Sequence, residues 1–213
     1  MYPTLEVRWF YRGRVPSAVL TWYQARAEAA EGPAMRVDYY LRPSNDASFD
    51  ASAAALGVKL REGGVELKRR GRQYGVVPFH PQVAGVVAVW HKWRFALVET
   101  DLDTLGLPHA DWVAVEKSRR LCQYHVDAAG QVVAVPLDAP VAQGCELELA
   151  TVRVAGHAWW TLCLETFGLP DGTPSRLRES LSRVASHVFA WENPPILEPD
   201  ASYSYPEWLK VIL

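Results

Sequence analysis

The sequence predicts an α+β fold, an antiparallel β-barrel or tunnel with flanking helices, and three observations carry that expectation. Residues 57–167 are mostly short alternating runs of β-branched and aromatic residues broken by Gly, Pro and Asp, the pattern of antiparallel strands joined by turns. Helical spacing is confined to residues 17–31 and 175–190, one segment before that body and one after it. Within the strands, charged residues recur at every second position, so whole faces are charged rather than scattered sites.

Taken in order, residues 5–11 carry Val7, Trp9, Phe10 and Tyr11 and read as a first strand, with Gly13 and Pro16 as punctuation. Residues 17–31 are rich in Ala, Leu, Gln, Arg and Glu, with Pro16 near the first turn and Gly32-Pro33 as a stop, which predicts a helix. A second strand over 35–41 is followed by a Ser/Asn/Asp loop over 43–50, and the short Ala-rich segment after it has no assignment. GVKLREGGVELKRR is two alternating runs around Gly63-Gly64, a pair suited to the positive φ of a tight hairpin. With that pair as the turn, Lys59 faces Lys68 and Arg61 faces Glu66, so two like charges oppose each other at a cost of up to about 1 kcal/mol.

Further along, Lys92 and Arg94 share a strand face, as do Lys117 and Arg119. GCELELATVRVAGHAWWTLCLETFG predicts a second hairpin with Ala155-Gly156 at its tip. That register places Glu148 opposite Cys163 and Glu146 opposite Glu165, all on one face. Residues 175–190 put Leu177, Leu181, Val184 and Val188 on one helical face, with Thr173 or Ser175 as cap. The aromatic tail, Tyr203-Ser204-Tyr205-Pro206-Glu207-Trp208-Leu209, reads as a clasp packed on the body or a protruding contact segment. The organisation expected is a tunnel domain over 1–168, with the helix and tail of 169–213 packed on the same domain.

At 213 residues and 49% hydrophobic the chain can bury a sizeable core as one domain. Twenty-two Lys+Arg against 24 Asp+Glu disfavour a globally basic nucleic-acid binder. The charge is segregated all the same: residues 59–72 hold six basic residues against Glu62 and Glu66. The longest uncharged stretch, 73–91, contains Pro78, His80, Pro81 and Gln82 and is not a membrane helix. MYPTLEVRWF lacks the features of an export signal, and Cys122, Cys145 and Cys163 show no paired spacing, so a cytoplasmic protein with reduced thiols is expected. GxSxG, HExxH, Walker-type and dinucleotide motifs are absent, and the six histidines show no metal-ligand spacing.

If the sheet curls with its charged faces inward, Lys and Arg from several strands converge on one lumen with carboxylates along one wall. Arginine meets phosphate oxygens through a planar fork and lysine as a compact charge, while clustered carboxylates suit a hard divalent cation. The alternative is an ordinary antiparallel sheet with one wet face. In that case the nine tryptophans would be core or an interaction surface.

With those residues in view, the chain resembles the CYTH superfamily of triphosphate tunnel metalloenzymes over roughly residues 4–168. Glu6-Val7-Arg8-Trp9-Phe10 stands at the family's ExExK strand, and Asp38-Tyr39-Tyr40 at its aromatic strand. Lys59-Leu60-Arg61, Glu66-Leu67-Lys68 and Glu116-Lys117-Ser118-Arg119 stand at the phosphate-binding strands, and Cys163-Leu164-Glu165 at the closing ExE. Three positions depart from the pattern: Arg8 for the second Glu, Phe10 for Lys, and Cys163 for the first Glu of ExE.

The resemblance implies an eight-stranded tunnel in which metal-bound triphosphate is hydrolysed or cyclised. Lys59, Arg61, Lys68, Lys117 and Arg119 would bind phosphates, and Glu6 and Glu165 would hold Mg²⁺ or Mn²⁺, or no metal if the departures inactivate the motif. The face argument adds Arg8, Lys92 and Arg94 to the basic set and Glu146 and Glu148 as substitute metal ligands. The expected activity is hydrolysis of a small-molecule triphosphate. The alternatives are a non-catalytic phosphate-ligand module and a protein-interaction domain. The expected partner is a small-molecule triphosphate or other polyanion, with no membrane, nucleic acid disfavoured and a homodimer left open.

Overall fold

The computed structural model describes residues 3–26, 33–43, 55–61, 63–97, 111–127, 129–141, 143–168, 174–190 and 193–213. Its strands are β1 (Pro3–Arg12), β2 (Ala34–Leu41), β3 (Leu56–Arg61), β4 (Gly64–His80), β5 (Val83–Ala96), β6 (Trp112–Val126), β7 (Val132–Val135), β8 (Gly144–Val154) and β9 (His157–Phe167). The helices are α1 (Ser17–Gln24), α2 (Pro174–Phe189) and α3 (Tyr205–Ile212). The strands run β2-β3-β4-β5-β1-β9-β8-β6, and a β2–β6 pairing closes them into an eight-stranded antiparallel barrel, with β7 added to β6. Closure pairs the two outer strands of the sheet with each other. Among the described residues, no helix is long and apolar enough to cross a membrane.

Period-two alternation lets β1 serve two cores. Leu5, Val7 and Trp9 point outward into a buried cluster with Trp22 and Tyr23 of α1 and Leu177, Leu181, Val184 and Val188 of α2. The α2 face is the one its spacing predicts. Trp22 stacks on Phe189 with ring centroids 5.7 Å apart. Glu6, Arg8 and Phe10 alternate with that set and point inward. Helix α1 is shorter than its composition suggests, ending at Gln24, because Arg26 turns back and donates to the carbonyls of Trp22 (2.6 Å) and Val188 (2.9 Å). That side chain satisfies a helix-end acceptor the backbone would otherwise leave open. Residues 27–32 of the expected helix, 44–50 of the expected loop and the Thr173 cap lie outside the described residues.

The first hairpin forms with a register different from the expected one. Arg61 pairs with Gly64 and Lys59 with Glu66, while Lys68 lies opposite Gly57. Only Gly63 carries positive φ (68°). Gly64 is already in β4, where a Cβ would lie 2.8 Å from the Phe95 carbonyl oxygen of β5. The glycine pair therefore serves a turn and a close strand approach, and the turn falls one residue earlier. The lysine opposition expected between β3 and β4 is instead between Lys68 and Lys92 of β5. A shift of two leaves every side chain on its predicted face.

The second hairpin has the predicted register, Glu148 against Cys163 and Glu146 against Glu165. Its tip residues Ala155 and Gly156 have φ of 48° and 77°, the left-handed pair of a two-residue turn.

The tail packs into the barrel and does not protrude. β1 and β5 pair only from Pro3 to Glu6. Beyond that point Ser202 bridges the two strands, donating to the Arg8 carbonyl (3.0 Å) and accepting from the Val86 amide (2.8 Å). Ser204 then caps α3 in a reciprocal pair with Glu207. Helix α3 inserts Trp208 and Leu209 among the inward residues Phe10, Tyr40, Val113, Val115, Ala150, Val152 and Val154. Trp208 stacks on Phe10 at 4.4 Å and 8°. One end of the lumen is thus filled with apolar side chains.

Candidate functional site

Beyond that plug the lumen turns polar. A cavity of about 120 Å³ is lined by Glu6 and Arg8 of β1, Arg36 and Tyr40 of β2, Lys59 and Arg61 of β3, and Glu66 and Lys68 of β4. Lys92 of β5, Lys117 and Arg119 of β6, Glu146 and Glu148 of β8, and Glu165 of β9 complete its charged wall, with Ser204, Tyr205 and Pro206 of the tail alongside. Eight cations face five carboxylates, and Asp38, buried behind three of those cations, is a sixth, which leaves a formal excess of two positive charges. The lining thus gathers every predicted site residue except Arg94, which lies exposed near the end of β5. It shares the face of Lys92 but sits past the rim.

The carboxylate wall follows from strand register. Glu6, Glu165 and Glu146 lie side by side across β1, β9 and β8, and Arg8, Cys163 and Glu148 form the next row inward. Arg8 is buried, with Nε donating to Glu6 Oε1 (3.0 Å) and Nη1 to Glu148 Oε1 (2.6 Å). Lys68 donates to Glu6 and to Glu165 Oε1 (3.1 Å), and Arg119 donates to Glu148 Oε2. Burial alone would raise the carboxyl of Glu148, but Arg8 and Arg119 hold it well below its ordinary range. Burial is outweighed at Glu165 too, where Lys68, Lys92 and Arg8 bring it to about 2.

Glu146 behaves oppositely. Burial and the neighbouring Glu165 and Glu148 push its carboxyl up to about 7. Burial also pushes the Cys163 thiol up against the pull of Arg8, so the group between Arg8 and Glu148 is a neutral thiol rather than a nucleophilic thiolate.

The opposite wall holds the predicted Lys59 and Lys117 together with Arg36, Asp38, Tyr40 and Glu66, which were not among the expected site residues. Asp38, 0% exposed, accepts from Lys117 Nζ (2.7 Å), with Arg36 Nε at 3.3 Å and Lys59 Nζ at 3.8 Å. Lys117 also donates to the Tyr40 hydroxyl (2.7 Å) and lies over the Tyr205 ring at 3.9 Å. Burial, with Lys59 and Arg36 adding, lowers the Lys117 ammonium well below its ordinary value. Glu66 pairs with Lys59 (2.8 Å) and Lys92 (3.4 Å). Arg36 carried a legible signal: Arg36-Asp38-Tyr40 keeps the same period of two as the basic strands.

The donor set bears directly on the expected Mg²⁺ or Mn²⁺. Among the described residues, no three Glu, Asp, His or Cys side chains converge in a metal-binding group. Three of the four proposed ligands, Glu6, Glu148 and Glu165, already carry ion pairs from Arg8, Lys68 and Arg119. A dication about 4 Å from the Arg8 guanidinium would meet roughly 8 kcal/mol of repulsion at an effective dielectric of about 20. As arranged, these residues do not fit a divalent ion.

No family model and no curated protein matches the chain. Among solved structures it is similar to the PH1819 protein of Pyrococcus horikoshii OT3, at 15% identity over 98% of both chains, with a TM-score of 0.52. It also aligns with HpAC1 from Hippeastrum, described as a putative adenylyl cyclase that reveals a dominant triphosphatase activity, at 10% identity, 88% of both chains and a TM-score of 0.39. The second likeness is too low to carry an argument. The first extends over the whole fold, and with the closed eight-stranded antiparallel barrel it supports a CYTH-like fold.

Proposed function

We propose that the basic lumen binds a small-molecule triphosphate or another short polyanion without a divalent metal. The observation that carries this reading is the surplus of cations in the cavity after its own carboxylates are counted. Resident cations neutralise the carboxylate wall, and Lys92, the most exposed lysine of the lining at 42%, lines the same cavity as Arg61. Guanidinium and ammonium groups on facing strands suit a chain of phosphates, whose charge is spread along its length.

Isothermal titration of tripolyphosphate into the full chain, with and without Mg²⁺, tests it. Saturating heats of similar size in both conditions are expected, with Lys92→Ala and Arg61→Ala each weakening affinity about fivefold or more, roughly 1 kcal/mol, at unchanged thermal stability. An absence of binding, or affinities unchanged in both variants, would overturn the proposal. A second reading, turnover, is favoured by one observation. Glu146, titrating at about 7 on the lumen wall, can accept a proton from water at neutral pH. Sustained phosphate release that Glu146→Gln abolishes would establish it.

A further inference from the structure

Arg8 holds two carboxylates of the wall at once. Its guanidinium bridges carboxylates of two strands that do not pair with each other, Glu6 of β1 and Glu148 of β8, reaching across the Cys163 position of β9 between them. The Arg8 backbone is pinned as well, its carbonyl accepting from the Ser202 hydroxyl and the Tyr203 amide. The Tyr205 ring covers the guanidinium at 5.0 Å. Lys68 and Arg119 close the outer sides of Glu6 and Glu148, so three cations match the three carboxylates Glu6, Glu148 and Glu165. An arginine cannot lose its proton in this setting, so the charge is permanent.

We propose that Arg8 is a built-in cation standing where a carboxylate-bound divalent ion would otherwise sit, and that this wall becomes a divalent-cation site once Arg8 is replaced. The metal-independence of ligand binding rests on the function proposed above. The behaviour of the wall toward metal does not. The atoms needed are already adjacent: Glu6 and Glu148 approach one guanidinium from two sides, and Glu165 and Glu146 occupy the neighbouring row. Removing the guanidinium leaves two facing buried carboxylates with oxygen ligands and a charge deficit, which is what a hard cation binds.

Mn²⁺ binding followed by the loss of the free-ion electron paramagnetic resonance signal tests this on the full chain. The wild type is expected to leave the Mn²⁺ signal unchanged up to about 1 mM, and Arg8→Lys to behave as the wild type does. Arg8→Glu is expected to bind one Mn²⁺ at least about tenfold more tightly than the wild type, and Arg8→Gln, which keeps the side-chain size without the charge, to shift the same way. Two folded variants guard against one failing to fold. Stoichiometric Mn²⁺ uptake by the wild type, or no gain in either Arg8→Glu or Arg8→Gln, would overturn the inference. If wild-type protein takes up neither Mn²⁺ nor tripolyphosphate while the variants gain Mn²⁺, the inference stands and the functional reading falls.

Discussion

Replacing Trp208 by alanine tests whether the tail is part of the barrel core. Trp208 is 1% exposed, stacks on Phe10 at 4.4 Å and meets Trp159 edge-on at 5.5 Å and Tyr205 at 5.8 Å. Truncating a large aromatic at such a site costs about 3–5 kcal/mol through lost burial and the cavity left behind. One feature offsets part of this loss: the indole Nε1 is buried and finds no hydrogen-bond partner among the described residues. Leaving such a donor unpaired costs about 1–3 kcal/mol, and alanine removes it. The net expectation for Trp208→Ala is about 2 kcal/mol, which at about 2–4 °C per kcal/mol lowers the melting temperature by roughly 4–8 °C. Trp208→Phe keeps the stacking and deletes the orphan N–H, so it is expected within about 1 kcal/mol of wild type. Urea unfolding of the three proteins measures both values. A loss below about 1 kcal/mol for the alanine variant, or equal losses for the two, would refute the plug reasoning.

Two other consequences concern the charged lumen. The Glu146 carboxyl titrates at about 7 when folded, above its ordinary value of 4.5, so between those two pH values the folded state holds the extra proton. Stability therefore falls as pH rises through that window, by about 2–3 kcal/mol, whereas the depressed carboxyls of Glu148 and Glu165 act below it. Denaturant unfolding at pH 5 and pH 8 should show this slope and its loss in Glu146→Gln, and an unchanged slope would contradict the assignment. On the opposite wall, Lys117→Met strips a cation from the fully buried Asp38 while Arg36 and Lys59 stay near, so a loss of about 2–4 kcal/mol is expected. A double-mutant cycle with Asp38→Asn should give coupling of at least about 1 kcal/mol, and additivity would show that the pair is not coupled.

The register of β8–β9 was readable because Ala155-Gly156 is flanked by two runs whose alternation agrees on one tip. For β3–β4 the observed pairing lies two residues from the one that the glycine pair predicts. Gly64 answers to the backbone of β5, a strand thirty residues on, and nothing in the hairpin itself reports that approach. The error moved no residue to the other face, so the set of lumen residues survived it. Asp38 and Glu66 were overlooked as site members because an acidic residue in a basic set reads as a surface charge until its partners are known.

Strand faces, the α2 face and the charge of the lumen were decided by the sequence itself, because periods of two and 3.6 are local properties that any window of the chain displays. Only tertiary structure decided that α3 fills one end of the barrel and that Arg8 joins Glu6 to Glu148. Those contacts link β1 to Tyr205–Ile212 and to Gly144–Val154, and the pairing of a charge is set by which strands closure brings together, not by the charge's place along its own strand.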